Sequence, residues 1–374
     1  MIKKVILMEL MLVVGIIIAI WLLIVALVKA GKLDAEVHAV LIIFRTGKGM
    51  GFISRVAKAE RFWRVIGNIS VVIGMLLMAL VVYSIGFLLY SKYFIGVSIP
   101  GVKMVIPGVT IPFTYGIIGL ITVLFVHEMS HGILAVVEGI PLKSSGVVFL
   151  TAIPIGAFVE PDEEELQSKP RMKKLRVYAM GSFGNMVLFL LAIMTIYVFQ
   201  GYFYGEPRIE IANVLEGSPA DGILEGGMII HEINGNTITT RKEFQEATKN
   251  LKPGQVLRFV TDKGTFTLTT APKLEDKTRG YVGILVQGAP LKEGNPAYLF
   301  SVLYWIAFLN QGIGLINLAP LHFGLAATDG HYMLKEVISK FTSETGAERI
   351  TTFISTTTLL AVVFSVVNPL ELLG

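Results

Sequence analysis

His127, Glu128 and His131 form the pattern His-Glu-x-x-His inside an otherwise apolar stretch of the chain. On a helix, residues four positions apart lie one above the other on the same face, so two imidazoles at this spacing can grip one metal ion. Glu128 would lie beside that ion, near enough to take a proton from water at the metal. This arrangement is typical of zinc hydrolases in which the glutamate is the general base.

A third metal ligand is expected elsewhere, because catalytic zinc usually takes three protein ligands and leaves one position open. The chain has no cysteine and six histidines, so this ligand must be a histidine, an aspartate or a glutamate. Asp329 follows an apolar stretch that should bring it to the same membrane depth as the end of the metal-binding helix. His322 and His331 lie near it in sequence and stay open as alternatives. The predicted cofactor is one Zn2+ ion.

The overall composition indicates a membrane protein. Of the 374 residues, 53% are hydrophobic and only 16% are charged, whereas soluble domains carry about 25% charged residues. The formal net charge of +4 is too small to suggest nucleic-acid binding, and the absence of cysteine excludes disulfides and thiolate metal sites. Ionisable groups inside an apolar span are costly and indicate a functional site. A polar cluster that only packs helices together is the alternative.

Six apolar stretches approach the length of about 20 residues that crosses a bilayer. They are residues 5–28, 67–91, 113–137, 177–203, 297–318 and 350–370. The predicted fold class is therefore an α-helical polytopic membrane protein with about six transmembrane helices. In the short loops and the N-terminus, with the long polar insertion left out, lysine and arginine number seventeen on one side of these spans and four on the other. Because such residues favour cytoplasmic loops, the N-terminus is expected outside and the loop 29–64 in the cytoplasm.

The predicted location is thus a cell membrane, crossed several times, with the metal site towards the cytoplasmic side. The sequence carries no organelle signal, so a prokaryotic plasma membrane is the default expectation. The basic segment 169–176 is expected to contact the anionic headgroups of the lipid bilayer.

A polar insertion, about residues 205–293, separates the fourth and fifth spans and should lie outside the cytoplasm. Short strands are predicted at residues 208–214, 228–233, 256–261 and 265–270, with a helix at 240–250. Residues 215–224 and 230–235 resemble the PDZ domains of bacterial-type membrane proteases. A PDZ domain binds an extended peptide as an added strand at a sheet edge. A small β-rich domain without a peptide partner is the alternative.

Three further segments complete a family pattern: Gly181-Ser182-Phe183-Gly184-Asn185, Asn317-Leu318-Ala319-Pro320 and Thr328-Asp329-Gly330. With His-Glu-x-x-His they resemble the site-2 protease family of intramembrane zinc metalloproteases, in the prokaryotic branch that carries an inserted PDZ domain. That family has leucine where this chain has Thr328, and fewer residues between Pro320 and Asp329. The resemblance implies that Asp329 is the third zinc ligand. It also implies that Asn185 and Asn317 hold substrate or stabilise the oxyanion.

Residues 146–160 alternate like two strands and are interrupted by Pro154 and Gly156. With Gly146 at its start, this segment resembles the membrane re-entrant β-hairpin of the same family. Such a hairpin can pair with an unwound stretch of substrate and present it to the zinc. A plain cytoplasmic loop is the alternative.

The predicted function is hydrolysis of peptide bonds within or near transmembrane segments of membrane proteins, for regulated proteolysis or signal-peptide clearance. The predicted domains are residues 1–112 (two spans and a cytoplasmic loop), 113–204 (catalytic core), 205–293 (PDZ-like) and 294–374 (ligand segment). The expected partners are transmembrane protein or peptide substrates, with no nucleic acid. Three alternatives stay open: a metal-ion transporter, a silent peptide-binding scaffold, and a zinc protease that cuts soluble or juxtamembrane segments.

Overall fold

The computed structural model describes residues 15, 18–38, 41–96, 105, 107–150, 153–205, 208–273, 276–288, 292–324 and 326–366. Contacts divide the chain into two compact units, one formed by Met1–Met194 with Val302–Gly374 and the other by Thr195–Ser301. The first unit contains the His-Glu-x-x-His segment, and the second contains the polar insertion.

Five helices in the described residues are long and apolar enough to cross a membrane. They are α3 (Glu60–Tyr90, continued by the π-helical turn Ser91–Ile95), α4 (Phe113–Val137), α6 (Arg171–Val198), α9 (Asn295–Leu318) and α11 (Glu344–Val366). Their presence confirms a polytopic helical membrane protein, and α4 has the predicted bounds. The predicted first span, 5–28, lies partly outside the described residues, which include an apolar helix α1 (Ile18–Lys29). Shorter helices of this unit are α2 (Lys48–Val56), α5 (Glu163–Ser168) and α10 (Asp329–Ile338).

Helix α6 begins six residues before the predicted start at residue 177, because the basic side chains of its first turns have acidic partners within the protein. Arg176 Nη1 lies 2.7 Å from Glu138 Oε1, and Lys174 Nζ lies 2.6 Å from Glu336 Oε1. Both carboxylates are buried. Arg176 and Lys174 therefore join α6 to the end of α4 and to α10; contact of the segment 169–176 with lipid headgroups stays a prediction.

An antiparallel four-stranded sheet packs beside α4. Its strands are β1 (Glu36–His38), β2 (Leu41–Thr46), β3 (Leu142–Leu150) and β4 (Ile153–Pro161), in that order across the sheet. Strands β3 and β4 confirm the predicted hairpin. The pairing of β2 with β3 was not predicted, and it turns part of the expected cytoplasmic loop into sheet. Arg45 on β2 forms ion pairs with residues of β1 and β4. Its Nε lies 2.8 Å from Glu36 Oε1 on β1, and its Nη1 lies 2.6 Å from Glu160 Oε2 on β4.

The core of this unit lies where α3, α4, α6 and α10 meet β4. Leu134, Ala179 and Met333 are fully buried there, and Val159 of β4 packs into the same cluster. Burial of such apolar side chains stabilises the unit by roughly 25 cal/mol for each Å² removed from water. This estimate applies only to surfaces that would otherwise face water. Where helices would otherwise face lipid, close van der Waals packing between them stabilises the unit instead.

The second unit is a small mixed domain. Its main sheet has the order β12-β5-β6-β8-β9, with β7 paired to β6. The strands are β5 (Ile209–Val214), β6 (Ile229–Ile233), β7 (Asn236–Thr237), β8 (Val256–Thr261), β9 (Gly264–Thr269), the pair β10 (Ala271–Pro272) and β11 (Gly280–Tyr281), and β12 (Ile284–Gln287). Its helices are α7 (Gln200–Phe203) and α8 (Arg241–Thr248). The four predicted strands and the predicted helix are confirmed. Ile211, Leu257 and Phe259 form its fully buried centre.

Candidate active site

Helix α4 brings the two imidazoles of the His-Glu-x-x-His pattern together. The Nε2 atoms of His127 and His131 lie 3.1 Å apart, as residues on successive turns of one helix face require. Their side chains are only 11% and 13% exposed. The two Nε2 atoms converge on one point, where both could bind the same cation.

Asp329, the first residue of α10, reaches the same point. Its Oδ2 atom lies 3.3 Å from Nε2 of His127 and 3.3 Å from Nε2 of His131. This oxygen is buried and has no hydrogen-bond donor in favourable geometry. In the part of the chain that the structure describes, these three residues are the one set whose ligand atoms could hold a metal ion together.

The three side chains fit the dimensions of a zinc site. With zinc–ligand bonds of about 2.0–2.1 Å, a tetrahedral site has ligand atoms about 3.3 Å apart. The observed separations are 3.1, 3.3 and 3.3 Å. To act together as metal ligands, the Asp329 carboxylate must be ionised and the imidazoles of His127 and His131 must be neutral.

The loop before α10 explains how Asp329 reaches this position although more residues than usual separate it from Pro320. Leu321 and Thr328 close the base of the loop, since Thr328 N donates to Leu321 O at 3.1 Å. The Thr328 hydroxyl also donates to the Ala319 carbonyl oxygen at 2.6 Å and accepts from Leu321 N at 3.0 Å. The chain is thus closed between Leu321 and Thr328, and Asp329 starts the helix directly after this closure.

Gly330 follows because no side chain fits there: a β-carbon would collide with the carbonyl oxygen of Leu318. The close approach of α10 to the end of α9 requires this glycine. It explains in physical terms why a glycine stands after Asp329.

His322 and His331 form a separate pair beside the site. Their ring centroids are 5.2 Å apart, and Nδ1 of His331 lies 2.9 Å from Ser355 Oγ on α11. Neither belongs to the set of residues whose ligand atoms converge. The geometry therefore favours Asp329 over both alternatives as the third ligand.

Glu128 lies on α4 next to the two histidines and contacts the hairpin. Its Oε2 atom accepts a hydrogen bond from the main-chain N–H of Val159, 3.0 Å away. Strand β4 is the outer strand of its sheet, so this N–H points away from β3. The contact joins the free edge of β4 to the carboxylate beside the metal site.

The predicted hairpin residues lie in the paired strands. Gly146 of β3 pairs with Phe158, and Pro154 and Gly156 of β4 pair with Phe149 and Val148 across a register shift. One residue of β4 is therefore extra at this point, as in a β-bulge, which increases the local twist of a strand.

Helix α6 lies behind the histidines. A β-carbon at Gly181 would collide with Nε2 of His131, so a glycine is needed for α6 to approach α4 this closely. The Val177 carbonyl oxygen accepts a hydrogen bond from His131 Nδ1 at 2.7 Å. Asn185 is fully buried, with Nδ2 3.3 Å from Nδ1 of His127. Asn317, the other predicted asparagine, is half-buried in the last turn of α9; its predicted role stays a prediction.

Three contributors to this site were not found from the sequence. Val159 and Val177 act through main-chain atoms, which carry no signal in a side-chain pattern. From the sequence, Thr328 is only a departure from the family pattern. Its position directly before Asp329 and Gly330 was the one sign that it could hold the segment that carries the third ligand.

The comparison with protein families is decisive for the class of the protein. The sequence model of Peptidase family M50 matches residues 115–365, which include all three converging side chains. The chain belongs to Peptidase family M50. The M50 membership confirms the predicted site-2 protease family and makes this chain a zinc metalloprotease, with Zn2+ as its cofactor. A transporter and a silent scaffold are thereby set aside.

Individual relatives agree with this family. An uncharacterized protein of Methanocaldococcus jannaschii is 32% identical over 317 residues, covering 81% of both chains. A protein of Arabidopsis thaliana named as a membrane-bound transcription factor site-2 protease homolog is 30% identical over 35% of this chain and 26% of its own length. A Clostridium perfringens protein named as a zinc metalloprotease is 26% identical over 48% of this chain and 61% of its own length.

Proposed function

We propose that this M50 protease hydrolyses peptide bonds within or near the transmembrane segments of membrane-protein substrates. The observation that carries the proposal is the position of His127 and His131 in α4, a helix long and apolar enough to cross a membrane. Ionisable groups are expensive in such a span. A hydrolytic site built there is best explained by a substrate that reaches it within the bilayer.

In this proposal His127, His131 and Asp329 hold the Zn2+ ion. When bound, zinc supplies a Lewis acid that polarises the scissile carbonyl and activates water for attack. Glu128 accepts a proton from the attacking water and passes it to the nitrogen of the leaving amine. The water oxygen forms the new bond to the carbonyl carbon, and the carbon–nitrogen bond breaks. The products are one carboxylate and one amine terminus.

Substrate must be unwound before this step, because a transmembrane helix satisfies its carbonyl groups internally. The free edge of β4 offers main-chain groups to which an extended segment can pair. Val159 lies on this edge and contacts Glu128, so a segment bound along β4 passes beside the general base. Gly146, Pro154 and Gly156 would set the twist of the hairpin through the irregularity in its register.

The second unit is proposed to be a PDZ domain that receives an extended peptide. A cavity of about 440 Å³ lies between α8 and the edge strand β12, lined by apolar side chains that include Phe244, Leu251 and Ile284. An edge strand beside a helix is the arrangement that peptide addition to a sheet needs. In this role the domain would gauge substrates, admitting those whose outer domains have already been trimmed.

The proposed topology has six spans, with the N-terminus and the second unit outside and the metal site nearer the cytoplasm. It rests on the distribution of lysine and arginine, which favours the cytoplasm for residues 29–64. Regulated proteolysis or signal-peptide clearance in a prokaryotic membrane would suit such a topology.

The proposal is tested by incubating the purified full chain in detergent with a single-span substrate. Glu128→Gln keeps the shape of the side chain and removes its basicity, and Glu344→Gln on the exposed start of α11 is the matched control. We expect cleavage by the wild type and by Glu344→Gln, loss in Glu128→Gln, loss with a zinc chelator and recovery with added zinc. Cleavage that survives Glu128→Gln would refute the assignment of the general base.

A further inference from the structure

The two histidines of the site differ in the partner that each has on α6. His131 Nδ1 lies 2.7 Å from the Val177 carbonyl oxygen. A carbonyl oxygen only accepts, so the proton of this imidazole is on Nδ1 and the lone pair is on Nε2. Nε2 is the atom that faces Asp329. The main chain of α6 thus fixes the ring of His131 in the form that binds a metal.

His127 needs the same arrangement, but its partner is a side chain. Its Nε2 atom faces Asp329 Oδ2 at 3.3 Å, so a metal-binding lone pair there requires the proton on Nδ1. Nδ1 lies 3.3 Å from the Asn185 amide, with Nδ2 turned towards it and Oδ1 buried without a donor. In that orientation two N–H groups would face each other while an acceptor stays unsatisfied.

Rotation of the Asn185 amide by 180° removes both conflicts at once. The amide oxygen and nitrogen have nearly the same shape, and the hydrogen-bond network decides which one points where. After rotation, Oδ1 accepts from His127 Nδ1–H, and the buried oxygen has its donor. We propose that Asn185 is a positioning residue that accepts this hydrogen bond and holds His127 as a zinc ligand, an inference that rests on the metal site of the proposed function.

The packing around Asn185 supports this role over direct contact with substrate. Its side chain is 0% exposed. On one side, Gly184 lets α6 approach Ser130 of α4; on the other, a β-carbon at Gly314 of α9 would come within 3.1 Å of the Asn185 Cβ. Asn185 is therefore enclosed between two helices, where water cannot replace its hydrogen bond and a substrate carbonyl does not reach it.

The partner of a ligating histidine fixes ring orientation and raises ligand basicity, and its loss typically weakens metal binding roughly 10–100-fold. The matching bond of His131 comes from the main chain and cannot be removed by substitution. Asn185 is thus the side-chain partner of a ligating histidine that can be replaced without altering any ligand.

The test is zinc affinity of the full-length protein in detergent, measured by competition with a chromogenic chelator. Asn185→Leu removes the acceptor, and we expect zinc binding roughly 10–100-fold weaker than in the wild type. Asn185→Asp keeps an acceptor and removes the N–H donor, so zinc binding should be unchanged or tighter. Asn310→Leu is the matched control, because Asn310 is also 0% exposed but donates to Ile306 O and Thr122 Oγ1 and contacts no ligating histidine; its zinc affinity should stay at the wild-type value.

Two results would overturn the proposal: wild-type zinc affinity in Asn185→Leu, or a loss of more than about tenfold in Asn185→Asp, which would mean that the amide donates to His127. Asn185→Asp also decides the question if the leucine variant does not fold. His127→Ala distinguishes failure of the Asn185 proposal from failure of the metal-ligand assignment. If His127→Ala binds zinc as the wild type does, the ligand assignment is wrong; if it loses zinc while Asn185→Leu does not, only the role of Asn185 is wrong.

Discussion

The main-chain N–H of Val159 donates a hydrogen bond to Glu128 Oε2 across 3.0 Å, and so connects the edge of strand β4 to the carboxylate beside the metal site. In the proposed function, this strand contacts the general base and offers its edge to substrate. Orientation of Glu128 and docking of substrate would then be coupled.

Val159→Pro tests this contact, because proline has no N–H and is tolerated on edge strands. A hydrogen bond to a charged group contributes about 1.5–3 kcal/mol, so cleavage should fall roughly 10–100-fold. Zinc content should stay at the wild-type level, since no ligand is touched. Val159→Ala keeps the N–H and serves as the control. Full activity of Val159→Pro with normal zinc content would mean that this hydrogen bond does not orient Glu128.

Thr328→Val should destabilise the position of Asp329 at the start of α10. The substitution leaves the Ala319 carbonyl and the Leu321 N–H without the hydroxyl that now satisfies both, at a cost of about 1–3 kcal/mol for each buried group. We expect a lower unfolding temperature and weaker zinc binding in chelator competition. Thr328→Ser retains the hydroxyl and should behave nearly as the wild type. Equal values for the valine and serine variants would show that the loop closes without the hydroxyl.

The ion pair between Lys174 and Glu336 should stabilise the position of α10. Its side chains are 14% and 7% exposed, and removal of one partner of a buried pair costs about 3–5 kcal/mol. Glu336→Leu should therefore lower the free energy of unfolding by that amount. Glu348→Leu removes the partner of Lys335 in a pair that is 25% and 47% exposed, so it should cost at most about 1 kcal/mol. Equal losses in the two variants would contradict the difference in burial.

Glu243 makes the second unit sensitive to acid. Hydrogen bonds from Thr239 N and Oγ1 and from Thr240 N to its carboxylate lower the pKa of Glu243 to about 2, from 4.5. A group whose pKa is depressed by folding stabilises the fold above its unfolded pKa and loses that effect as the pH falls through the folded value. Glu243→Gln should therefore speed hydrogen exchange of the α8 amides relative to wild type at pH 6.

At matched lower pH the difference in exchange should shrink from about pH 4.5 downwards and vanish only below the folded pKa of about 2. Thr240 should keep part of the cap in both proteins, because its own hydroxyl accepts from Glu243 N. A difference in exchange that stays constant down to pH 2 would show that the Glu243 charge is not its source.

Much of the site was predictable because its chemistry lies in side-chain type and local spacing. The i, i+4 histidines and the apolar run around them predicted α4 and its ligands, and the Asp-Gly pair indicated Asp329. Hydrophobic length likewise indicated the later spans, and alternation indicated the β3–β4 hairpin. Each of these signals is contained within one short segment.

The features that were not predicted depend on contacts between distant segments. Strand β2 pairs with β3 about a hundred positions further along the chain, and no local pattern reveals that pairing. The early start of α6 depends on Glu138 and Glu336, which neutralise its basic first turns. The partner of Asn185 was equally hidden, because a buried asparagine in a span looks the same whether it faces substrate or a histidine.

Intramembrane cleavage can be tested directly by mapping the peptide bond that is cut. A single-span protein reconstituted with the wild-type enzyme in lipid vesicles would be cleaved, and the product termini identified by mass spectrometry. Intramembrane proteolysis predicts a cut inside the span, in its cytoplasmic half, that disappears in Glu128→Gln and on removal of zinc. A zinc-dependent cut confined to segments outside the span would contradict intramembrane proteolysis, even though the protein would remain an M50 metalloprotease.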